Sequence, residues 1–508
     1  MENKRGSWAS NIGFLLAAIG SAVGLGNIWG FPYKMGKCGG FSFLIVYLLL
    51  AIFVGMIIMA SELALGRKTR KSPIAAYQAV SKKYSWLGWL AVLAPFLIMT
   101  FYSVLGGYCI YYIAINLGGL FSGNMPDSSS FGAMLTNIPV SIGVLIAFMI
   151  ICMAIVAGGV SGGIEKFNKV GMPALAVMLV IIIIKSWTLP NAGEGLKFMF
   201  VPGYAVKGGF IDQAPDFISI LGTAGGQMFF SLSLAMGAMI TYGSYLDKGE
   251  NLVKNSAIIV VSDTLVALMA GLAVIPAAVA NGINAGKAVN EIKLNGPNLL
   301  FSTLQDVFHD MGRIGGVFGI IFYLLVLIAA ISSAISLMEV LTSHFIDKAH
   351  EKGKAIDRKK VTYGVSAAIT VLAILVAADG LGSNGFTPAD VFHNASVKTW
   401  NDCWLDFMDT WSEGIAMPVG AMLMGIMIGG ELGPDFILDE IHSGEKSSGF
   451  DKFYKICITF VVPVVMCFVL AGQMIDFFGN PAASYIIAAV LLVVFAAWTY
   501  LAKKKSAK

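Results

Sequence analysis

Charged residues are scarce in this chain. Lysine, arginine, aspartate and glutamate make up 13% of its 508 residues, against about 25% in an average soluble protein. Its mean hydropathy of +0.78 is correspondingly high. This composition excludes a soluble globule and predicts a polytopic membrane protein. The formal net charge of +4 does not indicate a nucleic-acid partner, because membrane topology accounts for the basic residues.

The residues that form enzyme centres are also few. The chain has 5 histidines and 6 cysteines, and their spacing is not that of metal ligands. No nucleophile stands next to a general base, and no filter-like segment is repeated by symmetry. We therefore predict neither an enzyme nor a channel, and no organic cofactor. Cys38 and Cys403 both fall on the predicted outer side, where the sequence leaves a disulfide and two thiols equally open.

Long apolar runs are abundant. A helix needs about 20 apolar residues to cross the hydrocarbon layer. The first run has no small-residue cleavage site, so we expect it to remain as a span. The sequence predicts an all-α polytopic membrane protein with twelve transmembrane helices, at residues 12–36, 41–66, 87–121, 138–157, 166–186, 219–246, 252–281, 314–347, 360–378, 407–430, 453–473 and 482–502.

The basic residues outside these spans fall largely on one side. Cytoplasmic loops carry an excess of lysine and arginine. We therefore predict a multi-pass protein of the cell (plasma) membrane with both termini cytoplasmic. The basic clusters are Lys4 and Arg5, residues 67–71, Lys82 and Lys83, Lys166 and Lys169, residues 348–360, Lys452 and Lys455, and residues 503–508.

Two predicted spans are interrupted by small residues at matching depths, at 21–27 in the first and 231–237 in the sixth. In hydrocarbon, loosened backbone is tolerated only where it lines a cavity or binds something. Broken helices in corresponding halves of a chain point to a transporter's binding site. We predict one membrane domain over 1–508, with five helices in 1–186, their inverted repeat in 219–430, and helices 11 and 12 in 453–502.

Several motifs accompany these breaks. Residues 20–33 (GSAVGLGNIWGFPY) resemble the first helix of the neurotransmitter:sodium symporters, and residues 227–245 and 329–333 resemble the sixth and eighth helices. The resemblance covers residues 5–475 and is closest to the bacterial hydrophobic amino acid transporters. It implies a sodium-coupled symporter that works by alternating access. Further matching positions are Ser61, Glu62, Gly66, Arg67, Phe101, Tyr102, Ser103, Asp263, Thr264 and Asp409.

The resemblance implies two sodium ions, held by the oxygen ligands that hard cations prefer. Each serine or asparagine alone would more often make an interhelical hydrogen bond, but their joint pattern favours ion sites. For the first ion the implied ligands are Ala22, Asn27, Ser231 and Asp263, together with the substrate carboxylate. For the second ion they are Gly20, Val23, Ala329, Ser332 and Ser333.

Asp263 is an ionisable residue within a span, which costs roughly 3 kcal/mol on insertion scales and indicates a function. Chloride-dependent members of the family have a neutral residue near a bound chloride, whereas acidic residues in several bacterial members supply that charge. We therefore predict chloride-independent transport, with Asp263 protonated on the return step. Glu62 is the other buried acid at a family position, and we expect it to hold unwound backbone.

The resemblance indicates the substrate class through Gly24. This residue stands where the monoamine carriers of the family have an aspartate, and a glycine leaves room for a substrate carboxylate. Backbone N–H groups of the unwound first helix can hold that carboxylate. A deformable methionine suits varied apolar shapes. We predict a neutral, hydrophobic or aromatic amino acid, bound by Ala22, Gly24, Leu25, Gly26, Ile98, Tyr102, Phe230, Ser231, Ser233, Met236, Ser333 and Leu337.

The resemblance also marks two gates. Phe230 and Tyr102 would close over the substrate from outside. The family usually has an arginine where this chain has Gly30, so Asp409 lacks its usual partner and Lys34 is expected to make an exposed, weak pair with it. The inner gate would comprise Arg5, Trp8, Tyr245 and Asp347, with Arg5 pairing with Asp347. Gly163 and Pro173 resemble a segment of the fifth helix that some members unwind to hydrate the second sodium site.

Two other functions stay open at this point. A non-transporting, sodium-dependent amino acid sensor would keep the same substrate and ion residues. Because Gly30 departs from the family pattern, a carrier for a non-proteinogenic or small organic substrate is the other alternative. The expected partners are the substrate, sodium and the lipid bilayer, and the sequence does not indicate an oligomeric state.

Overall fold

The computed structural model describes residues 7–292, 294, 296–354, 356–393, 402–442, 448–474 and 481–506. These residues form helices and connections without a strand, as the all-α prediction requires. Nine helices among them are long and apolar enough to cross a membrane. They are Phe41–Thr69, Leu87–Ser122, Ile138–Ala157, Val160–Trp187, Leu252–Asn284, Gly312–Glu351, Arg358–Asp379, Trp404–Leu432 and Gly449–Gln473.

The first and sixth spans are broken, as the sequence predicted. The first comprises Asn11–Ala22 and Gly26–Lys37, which are bent by 44°, with an extended residue at Val23. The sixth comprises Phe217–Ser231 and Ala238–Gly243. With the nine continuous helices and Pro481–Ser506, these make the twelve spans, numbered here in chain order.

The break in the sixth span requires unusual backbone conformations. Ser233, Ala235 and Gly237 have φ values of 52°, 58° and 73°, in the left-handed region that side chains other than glycine seldom adopt. Two non-glycine residues in that region indicate a local strain that the surrounding structure must compensate. The opened turn leaves backbone N–H and C=O groups facing the first span.

Wide π-helical turns interrupt many of the spans, and the sequence analysis did not predict them. Such turns insert one residue into the helical ladder and are frequent at functional sites. They turn the side chains that follow them to a new face of the helix. Within the spans they occupy Gly26–Gly30, Ala51–Gly55, Val160–Glu165, Thr410–Ala416, Met427–Leu432 and Cys457–Val461, and a further one, Leu299–Thr303, lies in the connection between the seventh and eighth spans.

Short helices connect the spans outside the predicted membrane region. Cys38 and Cys403, which lie near two of these connections, are both buried, and the described part of the chain shows no disulfide between them. The connecting helices are Pro73–Val80, Ser129–Thr136, Ala192–Phe200, Tyr204–Lys207, Val289–Glu291, Gly296–Asn298, Leu304–Asp310, Pro388–Val391 and Asp435–His442.

The broken spans lie at the centre of the bundle. The first span packs against the fifth, seventh and eighth, and the third packs along the eighth. Almost every residue of the first span from Gly20 onward is buried. Small residues allow this close approach, since a Cβ on Gly66 would lie 2.0 Å from the Ile240 carbonyl oxygen. The polar backbone at the breaks is therefore enclosed by protein.

Candidate functional site

The unwound part of the sixth span is held by side chains of neighbouring helices. The Ala235 N–H donates to Glu62 Oε1 at 2.8 Å, the contact expected of Glu62. Ser233 Oγ donates to the Ser21 carbonyl at 2.7 Å, so the two broken helices are also bonded to each other. Ser21 Oγ in turn lies 2.8 Å from Ser336 Oγ. Ser21 and Ser336 were not selected from the sequence, because a serine in an apolar span carries no signal of its own.

Side chains of three residues proposed for the first sodium, Asn27, Ser231 and Asp263, are joined by hydrogen bonds. Asn27 Nδ2 donates to Asp263 Oδ1 at 2.7 Å, and Ser231 Oγ donates to Asp263 Oδ2 at 2.9 Å. Asn27 Oδ1 accepts the Gly24 N–H at 2.9 Å. The Tyr47 hydroxyl lies 3.4 Å from Asp263 Oδ2. These residues are buried, so the carboxylate is surrounded by hydrogen-bond donors from the first, second and sixth spans.

The oxygens proposed for the second sodium also lie together, between the first and eighth spans. Ser332 Oγ lies 2.8 Å from the Ala329 carbonyl oxygen and 3.2 Å from that of Val23. Ser333 Oγ lies 3.4 Å from the Gly20 carbonyl oxygen and 3.3 Å from that of Val23. All five oxygens are neutral, which fits a monovalent cation better than a divalent one.

A narrow cavity lies between the two oxygen clusters. Gly24 leaves room for it, since a Cβ there would lie 2.2 Å from Ser333 Oγ and 2.4 Å from the Tyr102 hydroxyl oxygen. That hydroxyl accepts the Leu25 N–H at 2.9 Å. The lining residues, all predicted from the sequence, are Ala22, Gly24, Gly26, Ile98, Tyr102, Phe230, Ser233, Met236, Ser333 and Leu337.

Comparison with known proteins agrees with this geometry. The profile of the sodium:neurotransmitter symporter family matches residues 5–126 and 128–502. The chain belongs to this family. As a member of the sodium:neurotransmitter symporters it is a sodium-dependent membrane transporter and not an enzyme.

Three similar proteins span nearly the whole symporter. An uncharacterised sodium-dependent transporter of Bacillus subtilis is 34% identical over 477 residues, covering 92% of this chain and 97% of its own length. One of Methanocaldococcus jannaschii is 29% identical over 526 residues, 99% of each chain. The crystal structure of MhsT in complex with L-phenylalanine is similar with a TM-score of 0.78 and 32% identity, covering 92% of this chain and 100% of MhsT.

The outer gate of the symporter differs from the sequence prediction. Lys34 forms its ion pair with Glu413 and not with Asp409, and the pair is buried, with 6% and 4% of the two residues exposed. Glu413 lies one turn deeper than Asp409, within the π-helical turn Thr410–Ala416. The Lys34 ammonium is 5.9 Å from the centre of the Phe230 ring. The predicted exposed, weak pair is therefore wrong.

Gly30 leaves room for the side chain of Gln227. A Cβ on Gly30 would lie 2.7 Å from Gln227 Oε1, so the glutamine side chain occupies the volume next to this glycine. Gln227 Nε2 donates to the Gly26 carbonyl at 2.7 Å. An arginine at position 30 would displace Gln227 from the first span. Asp409 lines an outer cavity together with Lys34, on the far side of Phe230 from the substrate cavity.

The inner gate positions lie near the other end of the broken helices. Trp8 Nε1 donates to the Tyr242 carbonyl at 3.2 Å, and its ring packs edge-to-face on Tyr245. Asp347 Oδ2 accepts the Ser72 N–H at 2.7 Å. Arg5, its expected partner, lies outside the described residues. The described part of the inner gate therefore joins the first span to the sixth and the eighth span to the connection after the second.

Sequence reasoning missed a partly buried ion pair beside the inner gate. The Tyr245 hydroxyl donates to Glu339 Oε1 at 2.7 Å, and Glu339 pairs with Arg358, whose Nε also donates to the Val156 carbonyl at 3.1 Å. Glu339 is an acid within an apolar helix, so the criterion that selected Asp263 would also have found it. Glu413 could have been found in the same way.

The first part of the fifth span is helical, with the π-helical turn Val160–Glu165 at its start. The structure therefore places Gly163 in a wide turn and Pro173 inside a continuous helix. Glu165 accepts the Ala9 N–H at 2.8 Å and pairs with Lys169 at 2.7 Å. Glu165 thus anchors the beginning of the first span to the fifth.

Proposed function

We propose that this chain is a sodium-coupled secondary active symporter that imports a neutral, hydrophobic or aromatic amino acid by alternating access. The observation that carries the proposal is the cavity between two clusters of oxygen atoms at the breaks of the first and sixth spans. An amino acid carboxylate in this cavity would complete the first ion site. Sodium would therefore assemble part of the substrate site.

Shared residues would couple the two sodium ions to the substrate. Ala22 lines the cavity and belongs to the first ion site, and Ser333 lines the cavity and belongs to the second. Ser231 follows Phe230, whose ring covers the cavity. An ion that fixes these backbone segments also fixes the walls of the cavity, so ion and substrate would each favour binding of the other.

Asp263 would supply the negative charge that makes transport independent of chloride. Its carboxylate accepts from Asn27 and Ser231, beside the oxygens expected to bind the first sodium. When sodium and substrate leave, a buried carboxylate without a cation is unfavourable. Asp263 would then take up a proton for the return step, which makes proton counter-transport part of this proposal.

The side chains around the cavity favour an apolar substrate. Ile98, Met236 and Leu337 line the part that would receive the amino acid side chain. The similar structure of MhsT holds L-phenylalanine. The carboxylate would be held by the Gly26 N–H and the Tyr102 hydroxyl, and the amine by carbonyls of Phe230 and Ser233.

The proposed orientation places both termini in the cytoplasm and the protein in the plasma membrane. Lys34, Glu413 and Phe230 then close the outer path, and Trp8 with Tyr245 closes the inner path. Residues 1–186 and 219–430 would form the inverted repeats, with 453–502 appended. Alternating access would exchange one closed path for the other around a fixed site.

The test is thermal unfolding of the purified protein with each of the twenty standard amino acids, in sodium and in potassium. A ligand that binds the folded state raises the melting temperature. We expect a sodium-dependent rise with a few apolar or aromatic amino acids. No rise with any of them would contradict the substrate class and favour a non-proteinogenic or small organic substrate.

Transport in proteoliposomes separates a carrier from a sensor. One human relative, 31% identical over 302 residues, is named an inactive sodium-dependent neutral amino acid transporter, so binding alone does not establish transport. We expect an inward sodium gradient to drive accumulation of the amino acid that raises the melting temperature. Sodium-dependent binding without accumulation would favour the sensor.

A further inference from the structure

Asn168 is a buried polar residue that the proposed mechanism does not use. It lies in the fifth span, and none of its surface is exposed. Its Nδ2 donates to the Ile164 carbonyl at 3.0 Å, whereas its Oδ1 has no hydrogen-bond partner among the described residues. Burying an amide oxygen without a partner costs free energy. Such a group in a folded protein needs an explanation.

The unpartnered oxygen lies beside Gly20, one of the residues proposed for the second ion site. A Cβ on Gly20 would lie 1.9 Å from Asn168 Oδ1 and 3.3 Å from Ser332 Cβ. Asn168 Oδ1 therefore occupies the volume that any side chain at position 20 would fill. Gly20 and Ser332 both belong to the oxygen set proposed for the second sodium. The amide oxygen lies beside that set, on the side of the fifth span.

Asn168 approaches the second ion site from the predicted cytoplasmic side. Glu165, one turn before Asn168, fills the corresponding volume beside Gly13, where a Cβ would lie 1.9 Å from its Oε1. The two oxygens line the interface between the first and fifth spans, with Glu165 near the beginning of the first span and Asn168 next to its break. Glu165 is engaged by Ala9 and Lys169, so Asn168 carries the oxygen that is available to a cation.

We propose that Asn168 Oδ1 is a further ligand of the second sodium ion, supplied by the fifth span on the cytoplasmic side of the site. The inference rests on the second sodium site of the proposed function and adds a residue to it. A neutral amide oxygen suits a monovalent ion. As the first span moves and its carbonyls separate, Asn168 keeps one oxygen on the ion until water replaces the others.

Asn168→Leu and Asn168→Asp form a matched pair of variants. Both have nearly the shape of asparagine and both lose the donor to the Ile164 carbonyl, but only the aspartate keeps an oxygen. The measurement is the sodium concentration for half-maximal rise in melting temperature at saturating substrate. We expect it to increase about fivefold in Asn168→Leu, as for loss of one modest polar contact, and to fall below the wild-type value in Asn168→Asp.

Two controls assign the effect to the second ion. Asn116→Ala removes another buried amide, bonded to Gln305, and should leave the sodium requirement unchanged. In a Ser332→Ala background, Asn168→Leu should have a smaller effect than in the wild type, because residues that share one ion are not additive. Equal sodium requirements in Asn168→Leu, Asn168→Asp and wild type would overturn the role of Asn168. A wild-type protein without any sodium response would instead overturn the proposed function.

Discussion

At the scale of single residues, the Asp263 carboxylate is held in place by polar side chains from three spans. Its two carboxylate oxygens accept from Asn27 and Ser231, with the Tyr47 hydroxyl 3.4 Å away. These partners are neutral, so the charge at this position comes from Asp263 alone within the cluster. Replacing the carboxylate by an amide would keep the shape of the side chain and remove one negative charge next to the first sodium.

Asp263→Asn should therefore make transport respond to chloride. The Ser231 and Tyr47 hydroxyls, freed from the carboxylate, can donate to an anion that restores the missing charge. We expect sodium-dependent uptake by the variant to be about tenfold lower without chloride, a difference of ~1.4 kcal/mol. Uptake by the wild type should not change. The measurement is initial uptake in proteoliposomes with chloride or gluconate as the anion.

Asp263→Glu is the control for this prediction. It keeps the charge but lengthens the side chain, so its affinity for sodium should change while its uptake stays independent of chloride. Uptake by Asp263→Asn that remains the same with and without chloride would contradict charge compensation by this residue.

The contacts of single residues also show which features of the site could be predicted from the sequence and which could not. All ten residues that line the cavity were selected through the family resemblance, which assigns positions one helix at a time. Partners on distant helices were not selected. The pairing of Lys34 with Glu413 joins residues 379 positions apart, and its choice over Asp409 depends on how two spans pack.

At the scale of helices, the Lys34–Glu413 pair connects the first span to the tenth above the substrate cavity. The pair is buried next to Phe230, and breaking a buried pair by removing one partner typically costs about 3–5 kcal/mol because the other charge is left unpaired. Removing both charges together costs much less. The pair can therefore be tested separately for its effects on stability and on gating.

Lys34→Met and Glu413→Gln should each lower the melting temperature, and the double variant should regain most of the loss. The double variant lacks the connection between the two spans, so we expect it to release bound substrate to the outside faster than the wild type. Thermal unfolding and substrate dissociation measure the two effects. Lys37→Met, at a neighbouring lysine of the same outer cavity, is the control. A double variant as unstable as the single ones would contradict the pairing.

The breaks of the first and sixth spans could be predicted from sequence, whereas the π-helical turns could not. Glycine and serine runs within apolar segments weaken a helix wherever it packs, so the local sequence is sufficient. A π-helical turn such as Thr410–Ala416 contains ordinary residues and is stabilised by contacts with other helices. This turn places Glu413 where it can pair with Lys34. The predicted pairing of Lys34 with Asp409 was wrong for this reason.

At the scale of the whole molecule, sodium and substrate are coupled if both bind best to the same conformation of the protein. Ala22 and Ser333 lie in the cavity wall and also belong to the proposed ion sites. The gates lie on opposite sides of this region, with Lys34 and Glu413 on one side and Trp8 and Tyr245 on the other. Ligands at the centre can thus bias both gates at once.

Coupling between binding sites must be reciprocal. If saturating sodium raises the affinity for the substrate by some factor, saturating substrate must raise the affinity for sodium by the same factor, which we expect to be about 5- to 150-fold. Isothermal titration of each ligand with and without the other measures both factors. Ser333→Ala should reduce the two factors equally, because Ser333 lies in the cavity wall and in the second ion site, whereas Asn116→Ala should leave both unchanged. Factors close to 1 in the wild type would contradict coupling between sodium and substrate through this site.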